Sequence, residues 1–177
     1  MRNLHSEVIT LFNWHERTQK WYTTTFTNAH LEERLGDTAM PQSNRIGNDG
    51  VTISVPVSRD QISRTSIFEL NCLVDGQGRR IVDAEDVIVA WAEPTTSELR
   101  VYAKPMLYAA LEDPSKTFTF TPERDFIVLG DHWSAEPLDD TGEEGLYSEM
   151  NNALDDVYMI SSAAYYRMIP HFEIAGR

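Results

Sequence analysis

The sequence contains a single cysteine, Cys72, so it can form neither an internal disulfide nor a zinc site built from several cysteines. Its longest apolar runs, such as residues 87–92, are far too short to cross a bilayer, and the N-terminal MRNLHSEVIT lacks the pattern of a secretion signal. These absences predict a cytosolic product with no membrane partner. Because the neighbours of Cys72 are apolar, we expect a buried side chain there and not a reactive thiol.

Basic residues are also scarce, with 15 Lys and Arg against 28 Asp and Glu, which gives a formal net charge of -13. Proteins that bind nucleic acid neutralise phosphates with clustered Lys and Arg, and this chain has no such surplus. DNA can therefore pass close to the protein, but we expect no tight or sequence-specific binding.

The motifs of common catalytic sites are missing as well. The chain has no G-x-S-x-G turn, no P-loop and no G-x-G-x-x-G, and the H-E-x-x-H pattern that begins at His15 fails because Gln19 occupies the second ligand position. The sequence therefore predicts no catalytic residue, no cofactor and no metal. The five histidines are scattered along the chain: His5, His15, His30, His132 and His171.

What is present is typical of a folded β protein, with 41% hydrophobic and 24% charged residues in a length that suits one domain, residues 1–177. Residues 7–15 and 20–27 are rich in β-branched and aromatic side chains and predict a hairpin. Residues 51–57 alternate strictly, which predicts a strand with one buried side, and Pro56 places it at an edge or ends its ladder. Two last strands are expected at 157–162 and 168–175.

The stretch KTFTFTPERDFIVLGDHW, residues 116–133, predicts a second hairpin with a charged tip. Phe118 and Phe120 share one face of its first strand, residues 117–121, while the second strand, residues 126–130, is apolar on both faces and should lie deeper. Residues 143–154 predict a helix that Thr141 could cap, and Pro105 could open a short helix over 105–111.

Residues 58–102 predict an inserted β segment. Strand patterns occur at 67–74, 80–82, 87–91 and 99–103, and the DGQG at 75–78 is a turn signal. The predicted fold is therefore mainly β: a small β-barrel or sandwich with an inserted β segment at about 58–102 and one α-helix in the C-terminal half.

Four tryptophans, Trp14, Trp21, Trp91 and Trp133, could line a platform for a sugar or a base. Stacking surfaces for nucleic acid carry interleaved basic residues, and none are present here. Packing in the core or at an interface is the favoured interpretation.

Four stretches taken in order resemble a family of tailed-bacteriophage proteins encoded among the head-completion and neck genes. They are ITLFNWHERTQKWYTTTF near the N-terminus, VTISVPV, FTFTPERDFIVLGDH and the C-terminal YYRMIPHFEIAGR. The resemblance implies a head-to-tail connector, most simply a head-closure or stopper protein, with a tail terminator as the alternative. Such proteins are small β-barrels or sandwiches that form rings below the portal and hold the packaged genome in the head.

The resemblance also implies the partners: other copies in a ring, the portal or adaptor proteins above, and the tail terminator or tail tube below. The location would be the virion neck, after assembly in the host cytoplasm. A ring of acidic subunits would repel the DNA that slides through it. Positions considered for subunit contacts or for the channel wall are Glu123, Arg124, Asp125, Asp139, Asp140, Glu143, Glu144, His171 and Phe172. For the tip at Glu123 to Asp125, a solvated turn is favoured over a loop that faces DNA.

Two other classes of function remain open. An enzyme with a site assembled from distant residues would need a deep pocket that holds His171 or His132 beside a carboxylate of raised pKa. A carbohydrate-binding or host-binding β module on the virion would show an exposed tryptophan platform.

Overall fold

The structure is a computed structural model, and it describes residues 7–34, 50–57, 77, 89–92 and 98–177. Predictions that fall on Cys72, on His5 and on the strand patterns at 67–74 and 80–82 lie outside these residues. The strands are β1 (Glu7–His15), β2 (Lys20–Arg34), β3 (Gly50–Pro56), β4 (Val89–Ala92), β5 (Glu98–Tyr102), β6 (Thr117–Phe118), β7 (Phe126–Leu129), β8 (Val157–Tyr166) and β9 (His171–Gly176), and the helices are α1 (Pro105–Ala110) and α2 (Leu146–Ala153).

Six strands form a closed antiparallel barrel in the order β1-β2-β3-β9-β8-β7, and β7 pairs back with β1. The long β2 serves two neighbours, because its first part pairs with β1 and residues 30–34 pair with β3. This confirms the mainly β prediction and selects the barrel over the sandwich. It also confirms the hairpin at the N-terminus, the alternating strand at 51–57 and the two last strands.

Pro56 is the last residue of β3, opposite His171 of β9. The strand itself lies inside the barrel wall, between β2 and β9. Of the two interpretations of this proline, the end of a ladder is confirmed and the edge strand is wrong. A barrel can place proline here because the nitrogen of Pro56 faces β2, and the pairing of β2 with β3 has already ended at Ser54.

The alternating side chains of the barrel strands separate two apolar clusters. The barrel interior is filled mainly by aliphatic side chains and a few rings, among them Ile9, Leu11, Phe26, Ile53, Ile127, Ile160, Phe172 and Ile174. On the outside, Phe12, Phe126 and Val128 pack with Leu146 of α2. The predicted helix in the C-terminal half is thereby confirmed, and it covers one outer face of the barrel.

The cap of α2 differs from the prediction. Its first N–H, that of Leu146, donates to Oδ1 of Asp140 at 2.8 Å, while the Thr141 hydroxyl donates to Glu149. Asp140 also accepts a hydrogen bond from the Trp21 indole at 2.9 Å. Because the carboxylate bonds both the helix start and β2, it fixes the helix on the barrel better than a hydroxyl could.

A separate three-stranded sheet has the order β4-β5-β6, and two of its strands lie within the predicted insertion. The β4 and β5 strands pair antiparallel, whereas β5 and β6 pair parallel. The short helix α1 follows β5 and begins at Pro105, as predicted, because proline fits the first turn of a helix.

The predicted hairpin at 117–130 is wrong. Its first strand, β6, joins the separate sheet, and its second strand, β7, joins the barrel between β1 and β8. The first strand is also as deep as the second, since Phe118, Thr119 and Phe120 are all buried. The chain therefore passes from one sheet to the other at residues 119–125, and the side chains at that passage replace the missing strand pairing.

Candidate functional site

The passage between the two sheets is held by the side chain of Asn13 at the end of β1. Its amide nitrogen donates to the carbonyl of Thr119 at 2.7 Å, and its amide oxygen accepts from the N–H of Thr119 at 3.3 Å. The side-chain amide thus bonds Thr119 as a strand backbone would. We call the contact among Asn13, Thr119 and Asp125 the seam, because it joins the barrel to the three-stranded sheet.

Asp125 completes the seam and is fully buried. Its Oδ2 accepts from the Asn13 amide and from the N–H of Thr121, both at 2.8 Å, and its Oδ1 accepts from the N–H of Trp14 at 3.1 Å. The prediction that Asp125 lies on a solvated tip or a channel wall is therefore wrong. A carboxyl group has two oxygens and can accept three N–H donors at a passage where no strand supplies carbonyls.

Burial raises the pKa of Asp125 to about 7, although the three hydrogen bonds act in the opposite direction. The folded protein therefore holds this proton at pH values where the unfolded chain, with an ordinary pKa near 3.8, has released it. The stability that this proton supplies is complete below about pH 4 and is lost as the pH rises through about 7.

The stability of the protein should therefore fall as the pH rises. Between about pH 4 and about pH 8, ionisation of Asp125 should lower the free energy of unfolding of the wild type by about 4 kcal/mol. Urea denaturation of the wild type and of Asp125→Asn across this range measures it, because the variant keeps the size of the side chain and cannot titrate. Parallel pH curves for the two proteins would contradict the prediction.

His15 and Tyr108 lie beside the seam, with ring centroids 5.5 Å apart and nearly perpendicular planes. Burial lowers the pKa of His15 and raises the pKa of Tyr108 well above its usual value. Within the described residues, neither Nε2 of His15 nor the Tyr108 hydroxyl has a hydrogen-bond partner. The edge-to-face packing of these two rings joins the end of β1 to α1.

The remaining predicted positions are spread over several places and do not form one site. Glu123 and Arg124 are exposed on the turn before β7, where they pair with Arg177 and Glu16. Asp139 pairs with Lys20 at 2.5 Å, and Glu143 and Glu144 are exposed before α2. Phe172 is buried in the barrel, so its assignment to a contact or channel surface is also wrong.

The hairpin of β8 and β9 carries a surface that the sequence analysis missed. We call residues 166–171 the hairpin tip. Met168 is 99% exposed, Ile169 78% and Tyr166 45%. The prediction of a strand from 168 is wrong at its start, because β9 begins at His171. The MIP triplet was the available signal, since Pro170 disfavours a paired strand.

The hairpin tip is ordered by its own contacts. The rings of Tyr166 and His171 stack with centroids 4.9 Å apart and an interplanar angle of 8°. Nδ1 of His171 donates to the carbonyl of Ile169 at 2.6 Å. The tip thus presents two large apolar side chains on a braced turn, and His171 has a structural part in it.

A cleft of about 230 Å³ lies between β2, β5 and the segment at 134–137. Two pairs of its lining residues are bonded to each other: the Ser134 N–H donates to Oγ1 of Thr23 at 2.9 Å, and the Ser115 N–H donates to Asp113 at 2.9 Å. Arg100 lines the cleft and is largely buried. These bonds hold the segment at 134–137 and the chain before β6 in place.

Neither histidine that the enzyme hypothesis requires bonds the carboxyl of raised pKa. Asp125 is bonded to Asn13, Trp14 and Thr121, while Nε2 of His132 donates to the carbonyl of Leu129 at 3.2 Å. Trp14 and Trp21 pack on each other with centroids 5.2 Å apart, and Trp21 is buried, so these two form packing and not a platform. Within the described ranges, no group of His, Cys, Asp and Glu is arranged to hold a metal ion.

The described helices are all too short or too polar to span a membrane. Comparison with known proteins gives no further assignment: no family model, no curated protein and no solved structure matches this chain.

Proposed function

We propose that this chain is a subunit of the head-to-tail connector of a tailed bacteriophage, a head-closure component that forms a ring between the portal complex and the tail. The observation that carries the proposal is the hairpin tip, where the side chains of Met168 and Ile169 are exposed to solvent on a turn braced by the stacked rings of Tyr166 and His171. Exposed apolar side chains of this size are stabilised when a partner covers them.

The barrel supplies the support that such a tip needs. Its interior is packed and its wall is closed, so the hairpin projects from a rigid base. A rigid tip loses little conformational freedom when it docks, which favours binding between subunits or to the portal and tail proteins.

Charge supports the same function. A net charge of -13 on each copy would make the wall of a ring repel DNA and let it slide. Glu143 and Glu144 are exposed and available to such a wall. The partners we propose are further copies of this chain, the portal or adaptor proteins, and the tail terminator or tail tube.

The test replaces both apolar residues of the hairpin tip, as Met168→Asp with Ile169→Asp. Because both side chains are exposed, the free energy of unfolding should change by less than about 0.5 kcal/mol. The purified double variant should fail to restore infectious particles in an extract of cells infected with a phage that lacks this protein.

The matched control is Met106→Asp, which changes a methionine that is 86% exposed on α1. It should restore particles as well as the wild type does. If the double variant at the hairpin tip restores them equally well, the tip is not the docking site, and the main support for the proposal is lost.

A further inference from the structure

Strand β8 extends beyond the end of its neighbour β7. The two strands pair up to Met159. The last bonds are at Ile160, whose N–H donates to the backbone carbonyl of Asp125 at 3.0 Å and whose carbonyl accepts from the N–H of Glu123 at 2.8 Å. From there, residues 161–166 continue alongside β9 alone. In the described part of the chain, no strand pairs with the other side of this stretch, which we call the free edge.

The direction of the peptide groups on the free edge follows from the register. Val57 donates to the carbonyl of Pro170 at 3.0 Å, while Pro56 stands opposite His171. In an antiparallel ladder this arrangement turns the backbone groups of His171 toward β8, where Tyr166 is the partner. Alternation then turns the N–H and C=O groups of Ala163 and Tyr165 away from β9, so they point out of the sheet.

The side chains of the free edge do nothing to block pairing. Strand β8 reads VYMISSAAYY and contains no charged residue and no proline. Ser162, Ala163 and Ala164 are small and exposed. Exposed edges in natural proteins are usually protected by charge, proline or cover, because an open edge recruits other strands. The composition of this edge is therefore that of an edge that pairs with another strand.

We propose that the free edge of β8, residues 161–166, pairs with an extended segment of a neighbouring copy of this chain. Small side chains let another backbone come within the strand spacing of about 4.8 Å. Two copies that each carry a charge of -13 repel each other over their acidic surfaces, so a neutral strand is where they can approach. A basic partner would be drawn instead to the acidic surfaces. This inference assigns a contact between subunits of the proposed ring and rests on the proposed function.

The test is Ala163→Pro, which removes an N–H that points out of the sheet and leaves the ladder with β9 intact. Ala163→Ser is the matched control, since it keeps the N–H. In light scattering of the full chain over rising concentration, Ala163→Pro should need at least about tenfold more protein to self-associate than the control. In extracts that lack this protein, it should fail to restore infectious particles while the control succeeds.

A second variant covers the case in which proline lowers the melting temperature. Ser162→Glu with Ala164→Glu adds negative charge at two exposed positions without altering the backbone, and it should have the same effect on association and on particles.

The outcomes separate this inference from the proposed function. If the wild type restores particles and the edge variants do so equally well, pairing at the free edge is overturned while the connector function stands. If the wild type restores nothing but self-associates in a way that the edge variants abolish, the connector function fails and the edge pairing stands. A wild type that neither self-associates nor restores particles overturns both.

Discussion

Replacing Asp125 with alanine is expected to lower the free energy of unfolding by roughly 3–5 kcal/mol at about pH 5. The change removes the acceptor of three donors: one N–H of the buried Asn13 amide and the part-buried N–H groups of Trp14 and Thr121. It also removes the group that holds Asn13 against Thr119, and with it the seam between the barrel and the three-stranded sheet.

The loss of unfolding free energy caused by Asp125→Ala should become smaller as the pH rises. Because the pKa of Asp125 is raised to about 7, the wild type already carries a buried charge at about pH 8 and is less stable there, whereas the alanine variant has nothing to ionise. Urea denaturation at the two pH values measures both losses. Asp155→Ala, at an exposed position, is the control and should change little at either pH. A loss for Asp125→Ala that is equal to that of the control would show that the seam is not formed.

The second large effect is expected at the two phenylalanines that flank the passage. Phe118 is fully buried and has ring contacts with Phe26 and Tyr102 at centroid distances of 5.3 and 5.7 Å. Phe126 stacks on Phe12 at 4.6 Å, on the opposite side of the barrel wall. Truncating either ring to alanine removes apolar burial and leaves a cavity, which costs about 3–5 kcal/mol.

Thermal and urea unfolding of Phe118→Ala and Phe126→Ala measure these losses. Tyr166→Ala at the hairpin tip is the matched control, because it removes an aromatic ring that is 45% exposed, and it should cost far less. An unchanged melting temperature for either phenylalanine variant would mean that its ring does not belong to the core.

The sequence predicts most of the barrel because alternation is a local property. Residues 51–57 alternate apolar and polar side chains, and Val51, Ile53 and Val55 all face the interior. Alternation identifies a strand and its buried face, but it does not identify the partner strand. That is why the segments at 117–121 and 126–130 were predicted to pair with each other when they belong to different sheets.

The passage between the sheets could not be predicted for a related reason. PERD, residues 122–125, is typical of an exposed turn, and nothing in it distinguishes the buried Asp125 from the exposed Glu123. The distinction depends on Asn13, which is more than a hundred residues away in sequence and supplies the amide that both Thr119 and Asp125 bind. Long-range polar pairing of this kind leaves no periodic pattern.

The candidate site was predicted only in part. Acidic residues before α2 were recognised from composition, and His171 was placed near a contact surface. The exposed side chains of Met168 and Ile169 fall in a predicted strand, because apolar residues beside a strand pattern are normally buried. Their exposure becomes visible only when the turn between β8 and β9 is defined.

We propose that this chain closes filled heads and joins them to tails. Negative-stain electron microscopy of particles made by a phage with an amber codon in this gene tests it most directly. We expect DNA-filled or leaking heads that accumulate beside separate, finished tails, and restoration of joined particles when the wild-type protein is supplied. Normal particles with tails attached, made without the protein, would contradict it.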